Sequence, residues 1–159
     1  KAQGISKRVS LNTPMSFEEV ISTLPSFDPI ALKKGYREDT IPVSLQPDSY
    51  GVSTIEIKEV ERLEINLTSY PKPLNPEFLI LNPSPCYTGF LVIGQELRSL
   101  PIGSTLNPYT GIFSWQPGPG FIGEYELVFI VESNSGVWNK ANVKVRIQPK
   151  FDLDFRQRK

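Results

Sequence analysis

The chain has 159 residues, enough for one generous domain or for one domain with an arm. Its 17 basic and 17 acidic residues cancel, so it carries no electrostatic footprint for nucleic acid or for an anionic membrane surface. Histidine is absent and there is one cysteine, which excludes an intrachain disulfide, a cysteine-based zinc site and the commonest general base. The 15 prolines and 11 glycines indicate many short strands rather than long helices.

The sequence also bears on membranes and on the extent of the chain. No apolar run approaches the roughly 20 residues of a membrane-spanning helix, so direct membrane insertion is not expected. The sequence begins with Lys1 and shows no signal peptide. We therefore expect it to be a piece of a longer protein.

Residues 1–40 are predicted to form an N-terminal arm or linker with one short helix at about 14–24. Thr13 suits the N-cap and Pro14 suits the first helical position. Four apolar side chains share one helical face: Phe17, Val20, Ile21 and Leu24. The segment 26–40 is interpreted as a connector.

From residue 41 to 150 the hydrophobic period changes to two, which is typical of strands with one buried face. A short edge strand is predicted at 41–45. The segment 52–67 indicates two strands, or one strand bent at a bulge near Val60. Further extended segments are predicted at 77–81, 86–94 and, as two brief pieces, 95–111.

The last third of the chain alternates most cleanly. Apolar side chains share one parity at Phe121, Tyr125, Leu127, Phe129 and Val131, and glutamates take the other parity at 124, 126 and 132. Val143, Val145 and Ile147 likewise alternate with polar residues. Two such strands around a turn at 133–136 form a long antiparallel hairpin, whose outward Lys and Arg would protect a sheet edge. Residues 151–159 are interpreted as a C-terminal tail or linker. About nine short strands separated by turns indicate an all-β fold, an antiparallel β-sandwich over 41–150.

The segment 100–136 carries the most specific pattern in the chain. Leu-Pro, Gly, Leu and Thr-Gly are followed by an aromatic pair, Pro, and a Gly-x-Tyr that opens an alternating strand. The positions concerned are Leu100, Pro101, Gly103, Leu106, Thr110, Gly111, Phe113, Trp115, Pro117, Gly123 and Tyr125. In residue type and spacing, about 88–149 resembles the bacterial immunoglobulin-like and cadherin-like repeats of surface and exported proteins. The resemblance implies an immunoglobulin-like (cadherin-like) sandwich; the Asp/Asn run with which true cadherins bind calcium is missing, so calcium binding is not implied.

Within this pattern we predict a structural corner between two strands. Gly111 supplies a turn, and Phe113 and Trp115 share a parity that points into the sandwich. Pro117 cannot donate to a ladder, so the strand should stop there. The predicted corner residues are Gly111, Phe113, Trp115, Pro117, Gly123 and Tyr125.

The resemblance implies a structural role rather than catalysis. The chain would be a module of a larger bacterial exported or surface protein, located outside the cell, on its surface or in the periplasm. It would space or dock neighbouring domains of the same chain, or contact another protein. Without histidine, the remaining acid–base groups are carboxylates, which crowd 56–64 and recur at Glu124 and Glu126. Outward strand positions need such charges for solubility, so we expect no catalytic residue, no metal site and no cofactor.

An alternative function is the binding of a glycan. Sandwiches bind sugars with exposed aromatic rings and side-chain amides, and Trp138 has Asn134, Asn139 and Asn142 around it. The competing interpretation is that Trp138 packs over the end of the hairpin. The sequence leaves both open.

Overall fold

A computed structural model describes residues 16–24, 30–67, 86–132 and 138–150. Its elements are helix α1 (Phe17–Ser22) and strands β1 (Ile30–Lys34), β2 (Val43–Leu45), β3 (Val52–Lys58), β4 (Leu63–Asn66), β5 (Cys86–Ile93), β6 (Glu96–Arg98), β7 (Thr105–Leu106), β8 (Ile112–Trp115), β9 (Gly123–Glu132) and β10 (Trp138–Gln148). The segments predicted as a strand at 77–81, a turn at 133–136 and a tail at 151–159 lie outside the described residues.

The described strands form two sheets of five. The long sheet has the order β3-β10-β9-β5-β6, and the short sheet has the order β2-β1-β4-β8-β7. Alternate residues of both sheets meet in one core, where the rings of Phe113 and Phe129 lie 5.1 Å apart. The predicted all-β class is therefore confirmed.

The predicted hairpin is confirmed, but its last strand is not at an edge. β9 and β10 pair antiparallel from Gly123 opposite Ile147 to Glu132 opposite Trp138. On its other side β10 pairs with β3, and this pairing is parallel. The prediction of a guarded edge at β10 is wrong. The predicted antiparallel pairing holds for every described strand pair except that of β10 with β3. The lysines and arginine of β10 lie on the outer face of the long sheet.

One edge of the long sheet is β3, and its backbone is capped by nearby groups. Val52 exchanges hydrogen bonds with Asp48, whose carboxylate accepts its N–H at 3.0 Å and whose own N–H donates at 2.9 Å. The amine of Lys34 donates to the Glu56 carbonyl at 2.5 Å, and the carboxylate of Glu61 accepts from the Lys58 N–H at 3.0 Å. Such caps occupy backbone groups that would otherwise pair with another chain.

Helix α1 is confirmed within the predicted range, with a different start. Ser16 is its N-cap: its hydroxyl accepts from the Glu19 N–H, and the Glu19 carboxylate accepts from the Ser16 N–H. This reciprocal capping box needs Glu three residues after Ser or Thr, which Ser16 has and Thr13 lacks. Thr13 and Pro14 lie outside the described residues.

The helix covers part of the outer face of the long sheet. Ile21, 6 % exposed, packs with Val128 and Ile130 of β9, and Phe17 meets Phe90 edge-on at 5.7 Å. β9 is therefore buried on both faces. The predicted apolar face of α1 is only partly buried, because Phe17 and Val20 remain exposed on its rim.

The interpretation of 26–40 as a connector is wrong at β1. Ile30 and Leu32 are buried, and β1 pairs with both β2 and β4 in the short sheet. Two apolar positions in alternation are too brief a signal to separate a strand from a connector. The edge strand predicted at 41–45 is confirmed as β2.

The two-strand interpretation of 52–67 is confirmed, and the two strands belong to different sheets. Between them Val60 adopts a φ of 69°, a conformation that is rare for a β-branched residue. It is held from both sides, since its N–H donates to the Pro117 carbonyl at 2.9 Å and its carbonyl accepts from Gln116 Nε2 at 2.8 Å.

The described chain enters the sandwich at one end and leaves at the other. Lys34 at the end of β1 lies opposite Leu63, which follows the turn at 59–62. Gln148 at the end of β10 lies opposite Lys58, which precedes the same turn. We call the end of the sandwich that contains the turn at 59–62 the lower end. Both β1 and β10 therefore start at the upper end and finish at the lower end. The ten residues of β9 give the long axis a length of about 34 Å.

Candidate functional site

Trp115 fills the lower end of the core. It ends β8 and is 1 % exposed. Its ring meets Phe121 and Tyr125 edge-on, with centroid distances of 5.9 and 5.4 Å. This is a favourable arrangement for aromatic rings. Pro117 is buried just beyond the strand, and Gly123 begins β9.

The indole of Trp115 is enclosed by the core and is not open to a ligand. Its Nε1 is buried and has no hydrogen-bond partner in the described part of the chain. An unsatisfied buried N–H costs about 1–3 kcal/mol, which the burial of so large a ring offsets. The stretch around Trp115 is a packing site.

Gly111 lies at the upper end, beneath the ring of Tyr87. Its φ of 71° is in the left-handed region, and a methyl group added to it would lie 2.7 Å from Cζ of Tyr87. Both the backbone and the contact therefore require glycine. The same close approach lets the loop bond to both sheets, because Leu67 N–H donates to the Gly111 carbonyl and Tyr87 N–H donates to the Pro108 carbonyl, each at 2.9 Å.

The residues proposed for glycan binding do not all share a face. Trp138 is 44 % exposed and lies with Asn142 on the outer face of the long sheet. Asn139 has the parity of the core-facing residues of β10, so it points to the other side. Asn134 lies outside the described residues. Of the predicted set, the structure places Trp138 and Asn142 on one face and Asn139 on the opposite one.

Lys140, between Trp138 and Asn142, contacts helix α1. Its amine donates to the Ser22 carbonyl at 3.1 Å, close to the C-terminal end of the helix. Burial lowers the pKa of Lys140 below its usual 10.5. The amine thus joins the N-terminal segment to the hairpin.

The carboxylates predicted to lie on the surface make ion pairs across strands. Arg146 of β10 lies 2.8 Å from Glu124 on β9 and 3.5 Å from Glu56 on β3. All three side chains are about half exposed, so each pair contributes little. Three further carboxylates accept hydrogen bonds: Glu59 from the N–H groups of Gly120 and Lys150, Glu61 from that of Lys58, and Glu64 from the guanidinium of Arg62.

A shallow depression at the upper end was not predicted from the sequence. It has a volume of about 700 Å³ and lies along β7, β8 and the loop between them. Its lining residues are Thr105, Leu106, Asn107, Pro108, Tyr109, Thr110, Ile112 and Ser114. The only sequence signal was the Asn-Pro-Tyr-Thr-Gly turn, which reads as a connection and says nothing of the sheet edge beside it.

No protein-family model matches this chain, and no curated protein matches it at a significant level. Within the described ranges, no group of three Asp, Glu or Cys side chains is arranged to hold a metal ion. No helix in those ranges has the length and apolar character to cross a bilayer.

Proposed function

We propose that the chain is a non-catalytic, immunoglobulin-like structural module of a larger bacterial exported or surface protein. It separates neighbouring domains at a fixed distance, docks them at its two ends, or presents a face to a protein partner. The observation that carries the proposal is that β1 starts at the upper end whereas β10 finishes at the lower end. A domain with this course can be joined end to end with others.

The strand order supports an immunoglobulin-like arrangement. Such sandwiches place their first, second, fifth and fourth strands in one sheet and the third, sixth and seventh in the other. Here β1-β4-β8-β7 follow the first order, and β5-β9-β10 follow the second. β6 extends the second sheet as it does in the variable type, and β3 adds a parallel strand beside β10.

Such a module would hold its neighbouring domains apart through the rigidity of its core. Rings from both sheets close the core at the lower end around Trp115, and the turn at 59–62 is bonded to the chain after β8. Neighbouring domains attached at the two ends would therefore be held at a fixed separation by a packed body about 34 Å long.

Small-angle scattering of two copies joined end to end tests the proposal. The expected result is a maximum dimension about 34 Å greater than that of one copy. The matched control carries Trp115→Ala in the second copy, which should lose stability and with it the fixed separation. A joined pair no longer than one copy would mean that the ends meet on one side, which would refute the spacing role.

A second proposed function is glycan binding at Trp138. The ring's partial exposure beside Asn142 supports it. Trp138→Ala should then abolish the fluorescence response to a polysaccharide while the unfolding midpoint is unchanged; an unaltered response would exclude this site.

A further inference from the structure

The depression at the upper end has the composition of a site for a neutral sugar. We propose that it binds a neutral oligosaccharide, with the ring of Tyr109 stacked on one sugar unit. Four of its lining residues are polar and uncharged, namely Thr105, Asn107, Thr110 and Ser114, and the other four are Leu106, Pro108, Tyr109 and Ile112. A pyranose likewise presents an apolar C–H face and a rim of hydroxyls.

Charge and shape argue against other classes of ligand. The lining contains no Asp, Glu, Lys or Arg, so an ionic ligand would find no counter-charge. Arg62, which donates to the lining residue Ser114, is itself paired with Glu64 at 3.2 Å. The edge strand β7 has two residues, too few to accept an added peptide strand.

The Tyr109 ring is exposed, and the backbone of the loop that carries it is held in place. Its side chain is 67 % exposed. The Asn107 carboxamide oxygen accepts from the N–H groups of Tyr109 and Thr110, at 2.9 and 3.1 Å. The turn is closed by Gly111 N–H donating to the Asn107 carbonyl at 2.9 Å and by Asn107 N–H donating to the Ile112 carbonyl at 3.0 Å. A loop fixed in this way loses little freedom when a ligand binds.

Two polar side chains are oriented by bonds made elsewhere. Because the oxygen of the Asn107 carboxamide accepts from the backbone, its nitrogen end is the part left to meet a ligand. Ser114 Oγ accepts from Arg62 Nη2 at 3.0 Å, so its hydroxyl hydrogen is directed away from Arg62. Both groups are then donors toward sugar oxygens.

Amide chemical shifts of the full chain, titrated separately with cellohexaose, xylohexaose, mannohexaose and chitohexaose, test the proposal. At least one of these should shift the signals of residues 105–114. Tyr109→Ala should weaken that binding about tenfold or more, whereas Tyr109→Phe should keep it. Tyr50→Ala is the matched control, because Tyr50 is also a well-exposed tyrosine in a turn. Since Tyr109 is largely exposed, its substitution should leave the remaining amide signals in place.

Three results would overturn the inference. They are no shift at 105–114 with any of the four oligosaccharides, equal binding by Tyr109→Ala, and tighter binding of the charged hexagalacturonate than of the neutral sugars. If Tyr109→Ala binds equally and Trp138→Ala loses binding instead, the second of these results would also favour the other face. None of these results bears on the spacing role, which scattering tests separately.

Discussion

Replacing Gly111 by alanine should be among the most damaging single-methyl changes in this chain. The new methyl would meet the ring of Tyr87 at 2.7 Å, and the backbone would keep a φ of 71°. A left-handed conformation costs a residue other than glycine about 1–2 kcal/mol. Displacing a packed, buried ring costs about 1–3 kcal/mol more. The expected loss in the free energy of unfolding is therefore about 2–5 kcal/mol, a large part of the stability of a typical domain.

Two other glycines separate these contributions. Gly94 has a φ of 64° with nothing within 4 Å of an added methyl, so Gly94→Ala should cost only the backbone part, about 1–2 kcal/mol. Gly89 has no positive φ, but its methyl would lie 2.8 Å from Cδ1 of Phe129, so Gly89→Ala should cost the packing part, about 1–3 kcal/mol. The three variants thus measure strain, contact and their sum.

Urea unfolding followed by fluorescence of the buried Trp115 gives each free energy from the midpoint and the slope. The order of loss should be Gly111→Ala first, with Gly94→Ala clearly smaller. If Gly111→Ala lost no more stability than Gly94→Ala, the Tyr87 ring would move aside at no cost. The close approach of Tyr87 would then not be the reason for glycine at position 111.

Three further predictions concern the core, the helix and the surface. Trp115→Ala should lower the free energy of unfolding by about 3–5 kcal/mol. Trp115→Phe should lower it by clearly less, because phenylalanine keeps an aromatic ring and removes the unpaired N–H. Equal losses of the two variants in urea unfolding would contradict this. The pKa of Lys140, followed by NMR of its Cε, should lie below 10.5 and move upward in Ile21→Ala, which loosens the helix that buries the amine. The unfolded chain binds the Lys140 proton more tightly than the folded chain does. The contribution of Lys140 to the free energy of unfolding therefore rises with pH between the folded-state pKa and 10.5. An unshifted titration would show that the helix does not cover the Lys140 amine. Arg146→Met should cost less than about 1 kcal/mol, and the loss should fade at high salt, since its partners are half exposed; a salt-independent loss would point to packing instead.

Hydrophobic periodicity was sufficient to predict a strand wherever the strand is long and at least part of one face is exposed to solvent. The alternation from 121 to 131 and from 143 to 147 predicted the hairpin, and the strands on either side of Val60 followed from the same pattern. β1 escaped notice because two buried side chains, Ile30 and Leu32, make no measurable period.

Pairing between distant segments could not be predicted from the sequence. The parallel contact of β3 with β10 joins Val52 to Asn142, and no local pattern specifies such a partner. The Tyr109 depression is lined by one contiguous segment, 105–114, but no local pattern predicts that this segment lies at the edge of the short sheet. The burial of the outer face of β9 could not be predicted either, since Val128 and Ile130 are apolar there because helix α1 covers them.

The placement of β10 between β9 and β3 has a mechanical consequence. If the chain is stretched between the start of β1 and the end of β10, the tension acts along β10, across its perpendicular ladder hydrogen bonds with β9 and its slanted ones with β3. Those bonds carry the force in shear and must rupture together, whereas an edge strand pulled sideways would unzip one bond after another. Resistance to extension is thereby concentrated in β10.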